Sequence, residues 1–323
     1  MRILRHTRDL PLEAKAAVVA LGNFDGVHRG HRALIQEAAR IAKATGRPLA
    51  ALVFEPYPRE FFRPHDEPFR LTSFRGKSRL LSELGIDFLI VLGFDADMAG
   101  KLAQDFVIDV LVRELGVAHV MVGEDFRFGK GRGGDAAVLA YMGEMEGFGV
   151  TVFGAVVENG EKISSSKVRS LLKAGRPEEA ARLLGHWWSV EGHVAQGDKR
   201  GRELGFPTAN LRLEKNLLEA KFGVYAVRAK RHNASAFYDG VANFGVRPMF
   251  QVPAPLMEAH LFEFSGELYG ELLSVELIGY LRGEESFTDL EALKAQMAAD
   301  SLAARQVLTS GGMRLLDHGA AGC

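Results

Sequence analysis

Cysteine is almost absent from this chain. Among its 323 residues the single cysteine is Cys323, the last, so neither a disulfide framework nor a cysteine cluster for a metal is available. That usage fits a reducing compartment, and the expected location is the cytoplasm. Long uncharged apolar runs are also missing: none approaches the roughly eighteen residues that a membrane-spanning helix needs, so no membrane association is expected. The opening M-R-I-L-R-H-T-R-D-L is basic and lacks the apolar stretch of a secretory signal. Nor is there an excess of one charge. Lys and Arg number 40 against 41 Asp and Glu, a formal net charge of -1. This balance argues against a nucleic-acid coat, and phosphate binding has to be built locally. Apolar residues are plentiful at 47%, and the length suggests a globular protein of about two domains.

The stretch around which the first half is organised is Ala20 to His31, A-L-G-N-F-D-G-V-H-R-G-H. It follows β-branched Val18 and Val19 and precedes an amphipathic segment, in the order strand, glycine turn, helix start. In that arrangement backbone N–H groups face an anion. Gly22 and Gly26 relax the backbone, and His28 and His31, three apart, fall on one helical face. The layout suits a nucleoside triphosphate better than a metal or a peptide.

Periodicity then alternates. Ala16–Leu21 reads as a buried strand, and Leu34, Ile35, Ala38, Ile41 and Ala42 have helical spacing that Gly46 and Pro48 end. Strands are expected at Leu49–Phe54, Phe88–Leu92, His119–Val122 and Val150–Val156, with helices at Gly76–Leu84, Ala103–Leu115 and Ala136–Glu146. Such alternation predicts an α/β domain with a parallel sheet and a site at the carboxyl ends of its strands. The loops there are G-N-F-D-G-V-H, F-E-P-Y-P-R-E-F-F and V-G-E-D-F-R-F-G-K-G. The stretch E-K-I-S-S-S-K-V-R-S, Glu161–Ser170, adds hydroxyls, cations and another helix start.

Taken singly these motifs are weak. H-x-x-H is ordinarily a pair of surface histidines and S-S-S an ordinary loop, and no third ligand cluster turns the histidines into a metal site. G-K-G-R-G-G, Gly129–Gly134, lacks the G-K-[ST] of a Walker motif and reads as a mobile glycine loop. In order on the expected strands, however, G-N-F-D-G-V-H-R-G-H and I-S-S-S-K-V-R resemble the HxGH nucleotidyltransferases. F-E-P-x-P and D-F-x-F-G narrow the resemblance to the FAD synthetase module of prokaryotic bifunctional riboflavin kinase/FAD synthetases, over about residues 16 to 172.

That resemblance implies roles. His28, His31 and Arg169 are the catalytic residues that contact the phosphates of ATP, with Gly22, Asn23, Phe24, Asp25, Ser164 and Ser165 also binding ATP, and Phe62, Asp125, Phe126 and Phe128 binding flavin. Three positions depart from the family pattern: Tyr57 stands where histidine is usual, and Ser166–Lys167 where Thr and Arg are common. Adenylyl transfer suits such residues, because the attacking FMN phosphate is already anionic. Catalysis then rests on in-line positioning and charge stabilisation.

The texture changes at Gly185. Short strand-like runs follow at Val190–Val194, Gly223–Ala229, Phe237–Ala242, Met257–Phe264 and Glu271–Gly279, predicting a small antiparallel barrel. Thr288–Glu291 forms a capping box, with Leu290, Leu293, Met297 and Leu302 on one face of a helix packed across that barrel. Trp187 and Trp188 read as core and domain contact. No Pro/Ser-rich tether separates the halves, which are expected to abut.

Gly197–Asn210, G-D-K-R-G-R-E-L-G-F-P-T-A-N, is a basic glycine loop running into a strand, suited to a polyphosphate. Thr208 and Asn210 point the same way and offer two hard oxygens, enough for a Mg²⁺ that keeps waters and phosphates as its other ligands. With G-V-A-N-F-G-V-R-P-M-F, L-M-E-A-H-L-F-E-F and L-R-G-E-E-S-F-T-D-L, this segment resembles the riboflavin kinase module over about residues 187 to 305. By that resemblance Gly197, Lys199, Gly201, Arg202, Gly205 and Pro207 bind ATP, and Thr208 and Asn210 hold Mg²⁺. Glu258 is the base toward the ribityl hydroxyl, and Leu281, Arg282 and Phe287 close over the flavin. Without their neighbours, Glu258 would read as a solvated outward position and T-A-N as a common tripeptide.

The expectation is therefore α/β plus β: a parallel-sheet nucleotidyltransferase domain over 1–185, a β-barrel kinase domain with a C-terminal helix over 186–310, and a frayed tail over 311–323. Riboflavin, FMN, FAD and ATP are the expected substrates and products, with Mg²⁺, in a monomer or weak homo-oligomer. The rivals are a chain with a kinase module alone active and a non-catalytic flavin- or nucleotide-binding regulator. A cytidylyl- or pantetheine-phosphate adenylyltransferase shares the H-x-G-H loop, but the kinase-like second half argues against it.

Overall fold

The structure, a computed structural model, describes residues 1–7, 10–195, 206–232, 234–246, 255–287 and 289–311. It divides into two compact units: Met1–Glu67 with Phe74–Ile163, and Pro68–Ser73 with the chain from Ser164 onward.

The first unit runs β1 (Arg2–Leu4), β2 (Val18–Leu21), α1 (Arg29–Thr45), β3 (Leu49–Glu55), α2 (Pro58–Phe62), α3 (Phe74–Ser82) and β4 (Phe88–Gly93). It continues with α4 (Ala96–Gly100), α5 (Ala103–Asp105), a π-helical turn pair (Phe106–Glu114), β5 (His119–Gly123), the short pair β6 (Arg127–Phe128) and β7 (Gly134–Asp135), and α6 (Ala136–Glu146). β8 (Gly149–Phe153) and the hairpin β9 (Val157–Glu158) and β10 (Glu161–Lys162) close it. The six-stranded sheet has the order β1-β4-β3-β2-β5-β8, and every pairing in it is parallel.

Both faces of the sheet are covered, which is why its strands read as apolar runs rather than alternations. Val18 and Ala20 of β2 join one core with Leu34, Ile35 and Ala38 of α1. Val19 and Leu21 join the other with Phe106, Val110 and Leu139. α1 ends where expected, at Gly46, whose φ of 62° is the left-handed C-cap conformation.

The glycine tract Gly129–Gly134 packs at its two ends, Gly129 and Gly134, while Lys130–Gly133 between them are exposed. A side chain at Gly134 would lie 2.7 Å from Cβ of Ala103 and 2.8 Å from the ring of Phe128. The helix predicted at Ala103–Leu115 is α-helical for its first turn and π-helical beyond it. β1 lies on three residues too short to show a period.

The second unit contains α7 (Ser165–Lys173), α8 (Pro177–Leu184), β11 (Ser189–Ala195), β12 (Ala209–Arg212), β13 (Gly223–Arg231), β14 (Tyr238–Val246), β15 (Pro255–Leu261), β16 (Leu272–Arg282) and α9 (Leu290–Gly311). Its strands form a closed barrel in the order β11-β12-β15-β14-β13-β16. Strict alternation turns Met257, Ala259 and Leu261 of β15 inward. Val168, Leu171 and Leu172 of α7, and Ala180 and Leu184 of α8, belong to the same core.

A strap from the first half of the sequence, Pro68–Ser73, completes this unit. Arg70 bridges Leu217 in parallel fashion, and fully buried Leu71 sits in the barrel's core. The carbonyl of Leu71 accepts the indole N–H of Trp188 at 2.7 Å, so Trp188 is core, as expected.

α9 packs on the barrel through Ala304, Leu308 and Val307 against Ala226, Ile278 and Phe262. Of the predicted apolar face, Leu293 and Met297 are half-buried, whereas Leu290 and Leu302 are 53% and 61% exposed and fall outside it.

Candidate functional site

In the first unit the topology fixes where a ligand belongs. The chain leaves β2 toward β3 on one side and later enters β5 on its other side, so the order reverses at β2. Crevices at such reversals, beyond the carboxyl ends of the strands, are where open parallel sheets bind ligands. The loops emerging there are Gly22–His28 and Gly123–Phe128.

The first loop is strained. Phe24 and Val27 have φ of 49° and 41°, and Gly26 has 79°. Left-handed backbone at bulky residues persists only where the surroundings enforce it. Here the side chains of Phe24, Asp25 and Val27 are buried, while Asn23 is exposed. The structure thus turns the side chains of Phe24 and Asp25, both expected to contact ATP, into the interior.

His28 caps α1: its Nδ1 accepts the N–H of His31 at 3.3 Å. A neutral His28 therefore carries its proton on Nε2. The two rings stack at 3.6 Å and 16°, and His31 meets the ring of Phe24 edge-on at 5.3 Å. Gly30 allows this crowding, since a Cβ there would come within 3.2 Å of the His28 ring.

Nδ1 of His31 is solvent-excluded and finds no hydrogen-bond partner among the described residues. Burial, then the neighbouring His28 and Lys77 of α3, hold its imidazole well below the ordinary pKa of 6.5. A neutral imidazole with an unsatisfied buried nitrogen is costly unless a ligand completes it.

The β9–β10 hairpin braces both loops. Glu158 accepts from Arg29 at 2.8 Å, and Lys162 reaches Asp125 at 2.9 Å and Glu124 at 3.5 Å. The Lys162 hydrogen bond holds the Asp125 carboxyl below its usual range.

A row of aromatic rings crosses the same end of the sheet. Phe126 stacks on Phe128 at 5.4 Å, and Phe128 meets Phe106 at 5.7 Å. The row continues through Phe54 and Phe94 to Phe62, at 6.2, 5.6 and 5.8 Å. Phe62 is exposed, an apolar platform for a flat ring. Predicted residues Phe62, Phe126 and Phe128 are thus joined through Phe54, Phe94 and Phe106, which the sequence reading did not single out.

Ser164, Ser165 and Arg169 belong to the second compact unit. Ser164 caps α7, its hydroxyl accepting from Lys167 N–H at 3.3 Å, and Ser165 is the first residue of that helix. Arg169 donates through Nε to the Phe69 carbonyl at 2.7 Å and lies over the Phe69 ring.

On the barrel, β15 is flanked by β12 and β14, and the register places Glu258 opposite Asn210 on one side and opposite Asn243 on the other. Directly paired residues share a face of the sheet, with Cβ atoms about 4.5–5.5 Å apart. One carboxylate between two carboxamides therefore lies on the face opposite the apolar interior. Thr208, two residues before Asn210, follows Pro207, whose carbonyl contacts His260 Nδ1 at 2.9 Å. Asn243 was missed because one asparagine in an alternating strand carries no signal of its own.

Arg282 makes a bidentate pair with buried Asp300 of α9, at 2.9 and 2.8 Å, and lies 5.9 Å from the Phe287 ring. Leu281 packs into the small core beneath α9. These residues tie the end of β16 to the helix. Gly197, Lys199, Gly201, Arg202 and Gly205 lie outside the described residues, as do Arg247, Pro248 and the tail beyond 311.

Known proteins match both units. Residues 10–167 fit the family described as FAD synthetase, and residues 184–308 the family described as riboflavin kinase. The bifunctional riboflavin kinase/FMN adenylyltransferase of Escherichia coli (strain K12) is 40% identical over 307 residues, 95% of this chain and 97% of that protein. The protein of the same description from Haemophilus influenzae is 35% identical over 96% of this chain and 100% of its own. A crystal structure described as a macrolide-efflux protein from Streptococcus pneumoniae is 26% identical with a TM-score of 0.83, covering 94% of this chain and 98% of that one. Among the described residues here, no helix is long and apolar enough to cross a membrane. With its two matched modules in this order and relatives alike over nearly their full length, the chain belongs to the bifunctional riboflavin kinase/FMN adenylyltransferase family.

Proposed function

We propose that this chain phosphorylates riboflavin to FMN on its barrel and adenylylates FMN to FAD on its parallel-sheet unit, with ATP as co-substrate of both steps. What carries the reading is that two differently built sites suit two different nucleophiles. The paired imidazoles of His28 and His31 suit an FMN phosphate, already ionised, whose oxygen attacks the α-phosphorus of ATP and expels pyrophosphate. They orient phosphate oxygens, and the unsatisfied Nδ1 of His31 gains a partner when one arrives. The row from Phe62 to Phe128 supports the isoalloxazine.

On the barrel the nucleophile is a neutral alcohol and needs help losing its proton. Glu258, between Asn210 and Asn243, takes the proton of the ribityl 5′-hydroxyl as its oxygen bonds to the γ-phosphorus and ADP departs. Hydroxyl and carboxamide oxygens of Thr208 and Asn210 fit a hard cation, and Mg²⁺ held there would neutralise phosphate charge. The basic glycine loop from Gly197 binds the nucleotide, and Leu281, Arg282 and Phe287 close the flavin side.

We place the division of the activities at about 185/186 in sequence, whereas the packing divides at Ile163/Ser164 and gives Pro68–Ser73 to the second unit, so the two divisions differ by that strap, α7 and α8. The reading includes a cytoplasmic location and a monomer or weak homo-oligomer that binds no nucleic acid. Replacing Glu258→Ala abolishes FMN formation and leaves FMN-to-FAD conversion intact; His31→Ala does the reverse. A normal kinase rate in the first variant removes Glu258 as the base.

A further inference from the structure

Next to the turn that leads into the two histidines lies a buried polar cluster in which Asp25 alone has been given a role. Lys77 of α3 is wholly buried, and its ammonium donates to Glu55 Oε1 at 2.8 Å and to the Tyr57 hydroxyl at 3.1 Å. That hydroxyl in turn donates to Asp25 Oδ1 at 3.2 Å. Tyr57 is itself 2% exposed, and the Lys77 ammonium sits 4.3 Å from the centre of its ring. One phenol thus accepts from a buried cation and donates to a buried carboxylate at once. Asp25 belongs to the strained turn of Phe24, Gly26 and Val27, directly before His28.

A buried ammonium is retained only where its charge is paired and its protons are accepted. A bulky residue in left-handed backbone is retained only where neighbours enforce it. Glu55 pairs the charge of Lys77, and the Tyr57 hydroxyl both accepts from that ammonium and holds Asp25 of the strained turn. We infer that Tyr57 and Lys77 are positioning residues for adenylyl transfer: the phenol clamps Asp25 to α3, and the clamped turn holds His28 and His31 in the arrangement that receives the triphosphate. The inference rests on the adenylyl-transfer reading of this unit.

A phenol can play this double part at any working pH, because it does not titrate near neutrality. An imidazole at the same position can do so while neutral, one nitrogen accepting and the other donating, and loses its acceptor when protonated. The charged groups bonded to residue 57 include Asp25 from the turn and Lys77 from α3 on its side chain and Glu60 from α2 on its backbone N–H, with Glu55 of β3 joined to the cluster through Lys77.

The test uses the full chain with Tyr57→Phe and Tyr57→His, measuring kcat and KM for ATP in FMN-to-FAD conversion between pH 5.5 and 8.5, alongside riboflavin kinase activity. Tyr57→Phe is expected to lose roughly tenfold in kcat/KM at every pH, the order of a hydrogen bond to charged groups. Kinase activity stays unchanged. Tyr57→His is expected to recover most of the rate at pH 8.5 and to fall below wild type as pH drops. A Phe variant as active as wild type overturns the inference, and so does a His variant with the wild-type pH profile. If Tyr57→Phe unfolds the first unit, Tyr57→His decides alone. The adenylyl-transfer reading itself stands or falls separately, on whether wild type makes FAD and His31→Ala does not.

Discussion

At the scale of the residue, the chemistry of the first site turns on a histidine kept neutral. The folded pKa of His31 lies well below 6.5, from burial first and the charges of His28 and Lys77 after it. Between that depressed value and 6.5 the unfolded chain binds a proton that the folded chain does not. Stability is therefore full above pH 6.5 and declines as pH falls below it, by up to about 1.4 kcal/mol per pH unit from this one group. Urea unfolding from pH 7.5 down to 5.5 is expected to show that slope in wild type and a shallower one in His31→Gln. An equal slope in both would mean that His31 is not held neutral. The histidines were legible in the sequence because glycines and a strand surrounded them. Lys77 was not, since a lysine in F-R-G-K-S-R-L reads as a solvated face until a tertiary contact buries it.

At the scale of the element, packing replaces periodicity as the source of surprise. The strap Pro68–Ser73 lies within the first half of the sequence yet fills the barrel's core with Leu71 and satisfies Trp188. No local pattern announces it. Leu71→Ala is expected to destabilise the kinase unit by about 2–5 kcal/mol, the range for deleting a buried leucine side chain. Following that unit's unfolding against kinase activity checks it, and an unchanged transition midpoint would deny the strap its place in the core. The β6–β7 hairpin makes a similar point. Gly134→Ala brings a methyl to within 2.7 Å of Ala103 Cβ and 2.8 Å of the Phe128 ring. Something must shift, at a cost of about 1–3 kcal/mol. Phe128 is the neighbour proposed to bind flavin, so KM for FMN in adenylylation is expected to rise while the kinase KM for riboflavin holds. The helices and strands themselves were largely legible, α6 to the residue, because sheet cores on both faces leave apolar runs. The face of α9 was legible only in part, because Leu302 lies off the helical spacing that leads from Leu293 and Met297 to buried Ala304 and Leu308.

At the scale of the whole molecule, two compact units carry two sites of different chemistry: stacked imidazoles beyond a parallel sheet, and a carboxylate between carboxamides on a closed barrel. The order of motifs along the chain was legible because each is a short run in a loop or strand. The pairing that sets Asn243 beside Glu258 was not, since strand neighbours distant in sequence become known only with the register. The most direct measurement is chromatographic separation of flavins after the purified chain has been incubated with riboflavin, ATP and Mg²⁺. Riboflavin converting to FMN and then to FAD is the predicted result. FMN that accumulates without FAD, even when FMN is supplied directly, would contradict adenylyl transfer on the first unit, and binding of flavin with no turnover at either site would contradict both activities.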